Sequence, residues 1–234
     1  MKDHDIQNDE QDYQGRETLA DLTIANNYNS HLVQLVLKQQ PTGGRVLDFG
    51  AGSGAFAARI QKSGSEVFAA ETDLLLQKEI EALGIPVIHD LDAAGIKFDL
   101  IYSLNVLEHI KDDVEALKLL SRNLTEDGKL IIYVPALEVL YSKFDHKIGH
   151  YRRYSKQRLR ETAEKAGLRV ESLEFHDPVG FFAALAYRLL GNSGNVKPGS
   201  IRIFDKFLYP LSRLVQPIFK HTFGKNLLLV ATKG

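Results

Sequence analysis

The residues from Val46 to Phe56, VLDFGAGSGAF, place Gly50, Gly52 and Gly54 where an apolar run gives way to a helical pattern. Glycine there lets the backbone turn sharply and lets a ligand lie against the main chain. The helix start beyond it offers free N–H groups to an anionic group. The spacing Gly50-x-Gly52-x-x-Ala55 also satisfies a dinucleotide fingerprint in its Gly/Ala form. Two acids shift the balance. Asp48, two residues ahead of the first glycine, would repel a pyrophosphate and attract the ammonium group of S-adenosylmethionine (SAM). Glu71 follows the next apolar run, 21 residues after Gly50, where a carboxylate can accept both ribose hydroxyls. In His89-Asp90-Leu91-Asp92 an acid can receive an adenine amino group while an apolar neighbour packs on the ring. Asp90 is the preferred acid and Asp92 the alternative. The competing reading is a glycine turn without a ligand, with Glu71 on a solvated helix start.

The elements that must position these residues alternate. Helical spacing of Leu19, Leu22, Leu32, Leu35 and Val36 predicts one or two helices over Thr18–Gln39, before Pro41. Strands are expected at Arg45–Phe49, Glu66–Ala70, Pro86–Ile88, Phe98–Ser103, Lys129–Val134, Leu168–Phe175 and Asn226–Thr232. Helices are expected at Ser53–Ser63, Thr72–Leu83, Asp112–Leu124 and Ser155–Ala166. This alternation implies an α/β fold, a mostly parallel sheet with helices on both faces. Residues 1–15 read as a flexible N-terminus, and 16–177 with 225–234 as the ligand-binding Rossmann-like domain. Residues 178–224 interrupt the alternation and read as a helical basic cap inserted before the last strand.

Composition narrows the class. The chain has 234 residues, 44% of them apolar and 25% charged, which suits one elaborated α/β domain. A net charge of -1 gives no general drive onto nucleic acid. Without cysteine there is no disulfide, thiolate metal site or cysteine nucleophile, and no metal site is assigned. The opening Met-Lys-Asp-His-Asp has no apolar stretch behind it, so no signal peptide is expected. A cytoplasmic, bacterial-type enzyme is the default. The charge is uneven: Met1–Asp21 holds seven acids against two bases, and Ala186–Asn226 seven bases against one acid.

Taken in order, VLDFGAGSG, the acid Glu71, FDLIYSLNVLEHI and GKLIIYVPA resemble the motifs of class I SAM-dependent methyltransferases over residues 45–175. The resemblance implies a seven-strand sheet of order 3-2-1-4-5-7-6 with its last strand antiparallel. It also implies SAM contacts at Asp48, Gly50, Gly52, Glu71, Asp90, Leu91, Leu104 and Asn105. Ala51 stands where many relatives carry cysteine, and a small side chain suffices there.

Methyl transfer from a sulfonium is an in-line displacement, so the acceptor must be aligned, and a base is needed only if a proton is lost. The Asn/Asp-Pro-Pro-Tyr signature of nucleic-acid and protein N-methylation is absent. Ser103-Leu104-Asn105-Val106 stands in its place. That favours a small-molecule acceptor, sugar- or lipid-linked, over nucleic acid. The segment from Tyr141 to Tyr154 resembles a D-x-x-x-G-H-x-R-R-Y element of a bacterial subgroup of the family. His150 is the candidate general base. Tyr141, Arg152 and Arg153 are candidate substrate contacts, the arginines by paired hydrogen bonds to an anionic group. The opposing reading anchors His150 and Tyr154 structurally and turns the arginines to water or a helix end. His109 reads as ordering the loop beside the cofactor.

In residues 178–224 apolar positions recur at i, i+3 and i+4 with bases between them. Three readings stand: a lid burying its apolar face on the sheet, a peripheral contact with anionic membrane, or a homodimer interface. For the whole chain, the alternatives to a methyltransferase are an NAD(P)-dependent oxidoreductase and a non-catalytic SAM-binding protein.

Overall fold

The structure is a computed structural model that describes residues 24–40, 43–190 and 197–234. The N-terminal segment expected at 1–15, and the part of the first helix before residue 24, lie outside the described residues. The first described helix, α1, is Asn26–Leu37. Then follow β1 (Arg45–Phe49), α2 (Ala55–Gln61), β2 (Glu66–Ala70), α3 (Leu74–Ala82) and β3 (Phe98–Leu104). A 3₁₀ turn at Leu107–His109 leads into α4 (Asp113–Asn123), which runs directly into β4 (Leu124–Pro135). A second 3₁₀ turn at Glu138–Leu140, α5 (Lys143–Lys147), α6 (Lys156–Lys165) and β5 (Leu168–His176) come next. The last part holds α7 (Pro178–Leu189), α8 (Pro198–Ile203), a π-helical turn at Phe204–Leu208, α9 (Tyr209–Phe219) and β6 (Asn226–Lys233).

Capping chemistry trims two of the expected helices. Gly54 sits at φ 76 and starts α2 two residues late, whereas Asp73 accepts hydrogen bonds from Leu75 N and Leu76 N and fixes the start of α3.

The six strands lie in the order β2-β1-β3-β4-β6-β5, with β6 antiparallel to both of its neighbours. Among the described residues the expected order is therefore met without its outermost member, and the seven-strand expectation is corrected to six. Pro86–Ile88 makes a single bridge, Val87 to Ala69, held by Ala69 N to Pro86 O (3.0 Å) and Ile88 N to Ala69 O (2.8 Å). Pro86 has no N–H to extend the ladder, and the turn at Asp90 ends the segment two residues later.

Side chains alternate across the sheet and fill two cores. Leu47, Ile101 and Ile132 pack with α4 and α6 on one face. Val46, Leu100 and Ile131 pack with α1, α2 and α3 on the other. The chain runs from β1 outward to β2 and returns to β3 on the other side of β1. That reversal opens a crevice beyond the carboxyl ends of β1 and β3, the place where open α/β sheets bind ligands. Because β6 is antiparallel, its first residue Asn226 faces the same edge, opposite Pro135 and His176.

Between β5 and β6 the helices α8 and α9, joined by the π-helical turn, form one continuous rod. Asp205, Tyr209 and Ser212 point inward and are buried. Asp205 accepts hydrogen bonds from Asn27 N (2.9 Å) and Tyr28 N (2.8 Å), tying the rod to the start of α1. The apolar stripe Ile203, Phe207, Leu211, Leu214 and Ile218 faces away from the sheet and is exposed. Among the described residues no helix is long and apolar enough to cross a membrane.

Candidate functional site

At the end of β1 the glycine loop is folded back against β2. Gly50 N and Ala51 N both donate to Ala70 O, at 2.8 and 3.2 Å. Gly50 has φ 77, and a Cβ added there would stand 2.4 Å from Val106 Cγ2, so conformation and space both demand glycine. Gly52 has φ 56, and its N–H donates to Glu71 Oε2 at 2.8 Å. The other Glu71 oxygen accepts from Thr72 N (2.7 Å) and Asp73 N (3.0 Å). Glu71 is thereby oriented on the crevice side of β2, bound to the loop it faces.

Asp48 is buried at the mouth of this loop, and its Oδ2 has no hydrogen-bond partner. Burial pushes its carboxyl up to about 7; the negative charge of Glu71 adds to this, and the nearby Tyr102 hydroxyl opposes it. An anionic oxygen without a donor, beside a loop closed to any side chain, is what a cationic amino-acid ligand requires.

The other candidate cofactor contacts divide. Leu104 is buried, and Asn105 follows it at φ 56 with its N–H on Tyr133 O at 2.8 Å. The Asn105 side chain meets the Tyr28 hydroxyl. Asp90 is exposed and closes a turn through Oδ1, which accepts from Asp92 N and Ala93 N. Leu91 lies in the core. Asp92, the alternative acid, pairs with Arg122 Nη2 at 3.0 Å, and that guanidinium lowers its pKa.

Beyond β4 a second group assembles around Asp145, which is fully buried. Its Oδ1 meets His150 Nδ1 at 2.9 Å and Arg153 Nε at 2.8 Å, while Oδ2 accepts from Ser142 N and Oγ, both at 2.9 Å. Burial opposes its charge, but His150 and Arg153 outweigh that and hold the carboxyl below the usual range. Tyr141 donates its hydroxyl to His150 O at 2.6 Å. Arg152 pairs with Asp113 Oδ2 (2.7 Å) and donates to Lys111 O (2.8 Å). Both arginines are buried, and their guanidinium groups are engaged by the protein itself.

His150 Nε2 points the other way, 3.7 Å from Glu108 Oε1. The His109 ring packs edge-on against His150 with centroids 4.6 Å apart. Glu108 is fully buried, and neither of its carboxylate oxygens has a hydrogen-bond partner. Burial pushes its carboxyl up to about 8, against the opposing charge of Arg153.

Residues 22–173 match the family model described as a methyltransferase domain. The chain belongs to this family. The chain is 28% identical over 137 residues to an uncharacterized methyltransferase of Staphylococcus carnosus, across 56% of this chain and 63% of the relative. The chain thus spans less than two thirds of that relative's length. Two solved structures share the fold. One is a TehB-like SAM-dependent methyltransferase of Corynebacterium glutamicum, with TM-score 0.56, 21% identity and 86% of each chain covered. The other is coclaurine N-methyltransferase bound to N-methylheliamine and SAH, with TM-score 0.57, 16% identity, and 87% of this chain and 70% of that chain covered.

For a methyltransferase, the residues missed by sequence reasoning are those on the far side of Asn105. Tyr28, His31, Tyr133, His176 and Tyr209 stack edge-on or tilted, with centroids between 5.4 Å (Tyr28–Tyr209) and 6.3 Å (Tyr28–Tyr133). Burial pushes His31 down to about 3 and His176 down to about 4, so both are neutral near pH 7. Neither His176 ring nitrogen has a hydrogen-bond partner, nor does Asn226 Nδ2 or Asp177 Oδ2. Nothing local marks these residues. They come from α1, β4, β5, β6 and α9, and only the strand order brings them together.

Proposed function

We propose that the chain transfers the methyl group of SAM to a small-molecule acceptor held between the glycine-loop crevice and the Tyr28–His176 wall. The observation that carries this reading is the buried Asp48 carboxylate with one free oxygen at the switch point of the sheet. In this reading Asp48 receives the ammonium of the cofactor, Gly50, Ala51 and Gly52 leave its backbone room, and Glu71 takes the ribose hydroxyls. Asp90 and Leu91 serve the adenine end, while Leu104 and Asn105 flank the centre. When bound, SAM supplies an electrophilic methyl on a positive sulfur. This chain's residues bring the acceptor lone pair into line with the breaking C–S bond and keep water away.

A proton leaving the acceptor needs a base, and His150 is placed to be one. Its Nδ1 is held by Asp145, so a ring that donates from Nδ1 presents Nε2 as the atom that takes a proton. Arg152 and Arg153 act in this reading by holding Asp113 and Asp145 rather than by gripping substrate. The neutral wall of His176, Tyr133 and Asn226 favours an uncharged, hydroxyl-bearing acceptor. Coclaurine N-methyltransferase, of the same fold, is seen with a small organic molecule beside SAH. Incubation with methyl-labelled SAM and a panel of hydroxylated small molecules should move label into the small-molecule fraction. Label in nucleic acid or protein, with none in small molecules, would overturn the reading.

A specific observation also favours a lipid-linked acceptor met at an anionic membrane. The outward stripe on α8 and α9 is apolar, from Leu211 at 47% exposed to Leu214 at 76%, and Arg202, Lys206 and Arg213 run along one border. That is the pattern of an interfacial helix with its bases at headgroup level. Vesicles containing anionic lipid should co-sediment the protein at low salt. A stable homodimer in solution with no vesicle binding would transfer this surface to a subunit interface.

A further inference from the structure

The group formed by Glu108, His109 and His150 is not accounted for by cofactor binding. One ligand atom from each of the three lies within 4.8 Å of the others. Glu108 is fully buried with both carboxylate oxygens unpartnered, a costly arrangement unless a cation or a proton meets them. His150 cannot meet them directly, since 3.7 Å is too long for a hydrogen bond. Two ligands on one cation, with bonds of about 2.1 Å at tetrahedral angles, stand about 3.4 Å apart, so His150 and Glu108 need close by only a few tenths of an ångström, and the whole set must draw in from within 4.8 Å.

The surroundings are those of a prepared ligand set. Asp145 holds His150 Nδ1 and so turns Nε2 toward Glu108. Arg153 and Ser142 fix Asp145 in turn. A carboxylate behind a ligating imidazole is the usual outer support of a metal-bound histidine. His109 is steered by hydrogen bonds to the backbone of Ile148 and Gly149, and as a residue it is exposed. The exposure of His109 gives a cation a way in.

We propose that Glu108, His109 and His150 form a site for a divalent transition-metal ion of the zinc class at the acceptor edge of the sheet. Two imidazoles and one carboxylate suit Zn²⁺ and Co²⁺ better than Mg²⁺ or Ca²⁺, which prefer all-oxygen sets. The site goes beyond the functional reading above and stands on its own geometry. One consequence rests on that reading: an acceptor oxygen in the open position would lose its proton more readily, and His150, its lone pair on the metal, would not serve as base.

The test uses the full chain, stripped with a chelator and titrated with Co²⁺ and Zn²⁺ without SAM or acceptor. Co²⁺ is followed by its visible ligand-field absorption, and Zn²⁺ by metal content after gel filtration. One equivalent should bind. His109→Ala and Glu108→Gln should each weaken binding about 100-fold, and Asp145→Asn, a positioning residue, by about 10-fold. Asp48→Asn should bind metal as the unaltered chain does. Failure to take up either ion in excess, or undiminished binding by a His109→Ala protein that unfolds cooperatively like the unaltered chain, would overturn the site. Uptake of one equivalent that depends on His109 supports it whether or not methyl transfer is seen, so it stands or falls separately from the acceptor reading.

Discussion

Asp48 and Glu108 are two versions of one anomaly. Each is a buried carboxylate just beyond or at the end of a central strand, with an oxygen that no protein donor meets. Their neighbours differ. Around Asp48 stand the glycine loop, Tyr102 and the like charge of Glu71, with no basic side chain among its interactions. Around Glu108 stand two imidazoles, one of them anchored by a further carboxylate. The first environment lacks a cation and has room along a backbone, which calls for an organic ammonium. The second brings two imidazoles within reach of the carboxylate, the setting of the metal ion proposed above. An orphaned carboxylate says that a ligand is missing, and the donors around it say which kind.

Paired carboxylates set the scale for breaking this contrast. Asp113 is held by Arg152 at 2.7 Å and by the Tyr154 hydroxyl at 2.8 Å. Arg152→Ala would leave the buried Asp113 carboxylate without its cation, with only the Tyr154 hydroxyl beside it, and should cost about 3–5 kcal/mol in urea unfolding. A KM effect on acceptor without that loss would return Arg152 to the substrate site. Gly50→Ala forces a Cβ into Val106 at positive φ and should cost about 2–4 kcal/mol with loss of SAM binding. Adding Val106→Ala should restore part of the stability.

Removing an orphan should act oppositely. The folded-state pKa of Asp48 is raised to about 7, from about 3.9 in an unfolded chain. Its contribution to the ligand-free fold is therefore complete below pH 4 and is lost as pH rises through 7. Asp48→Asn should thus stabilise the ligand-free protein at pH 8 by about 1–3 kcal/mol and do little at pH 4. Equal shifts at both pH values would remove Asp48 as the titrating group. The smallest effect belongs to the surface: Leu214→Asp should change stability by less than about 0.5 kcal/mol while abolishing vesicle co-sedimentation.

Much of this was legible in the sequence where the determinants are local. The glycine loop, the acid ahead of it and Glu71 are read from backbone demands within one βαβ unit, and the antiparallel last strand follows from the family resemblance. Long-range partners were not legible. Arg152 and Arg153 look like an anion grip in VPALEVLYSKFDHKIGHYRRY, yet Asp113, from the start of α4, and Asp145, within that same stretch, occupy them. Glu108 and His150 lie 42 residues apart, and only the docking of the loop after β4 onto the turn after β3, through Tyr151 N to Glu108 O at 2.9 Å, brings them together. Pro86–Ile88 has apolar residues enough for a strand but no N–H at Pro86 to hold one. In α8 and α9 the periodicity revealed an amphipathic rod; that its apolar stripe faces outward depended on Asp205 docking to α1.

The central claim is that Asp48 receives the ammonium of SAM. Calorimetric titration of SAM and NAD into the unaltered chain and into Asp48→Asn tests it most directly. The account predicts that SAM binds the unaltered chain, more tightly as pH rises through about 7, and that NAD gives no binding heat. It predicts a loss of about 30- to 1,000-fold for Asp48→Asn, the effect of removing one partner of a buried charge pair. Equal SAM affinity in the two proteins, or preference for NAD, would contradict it.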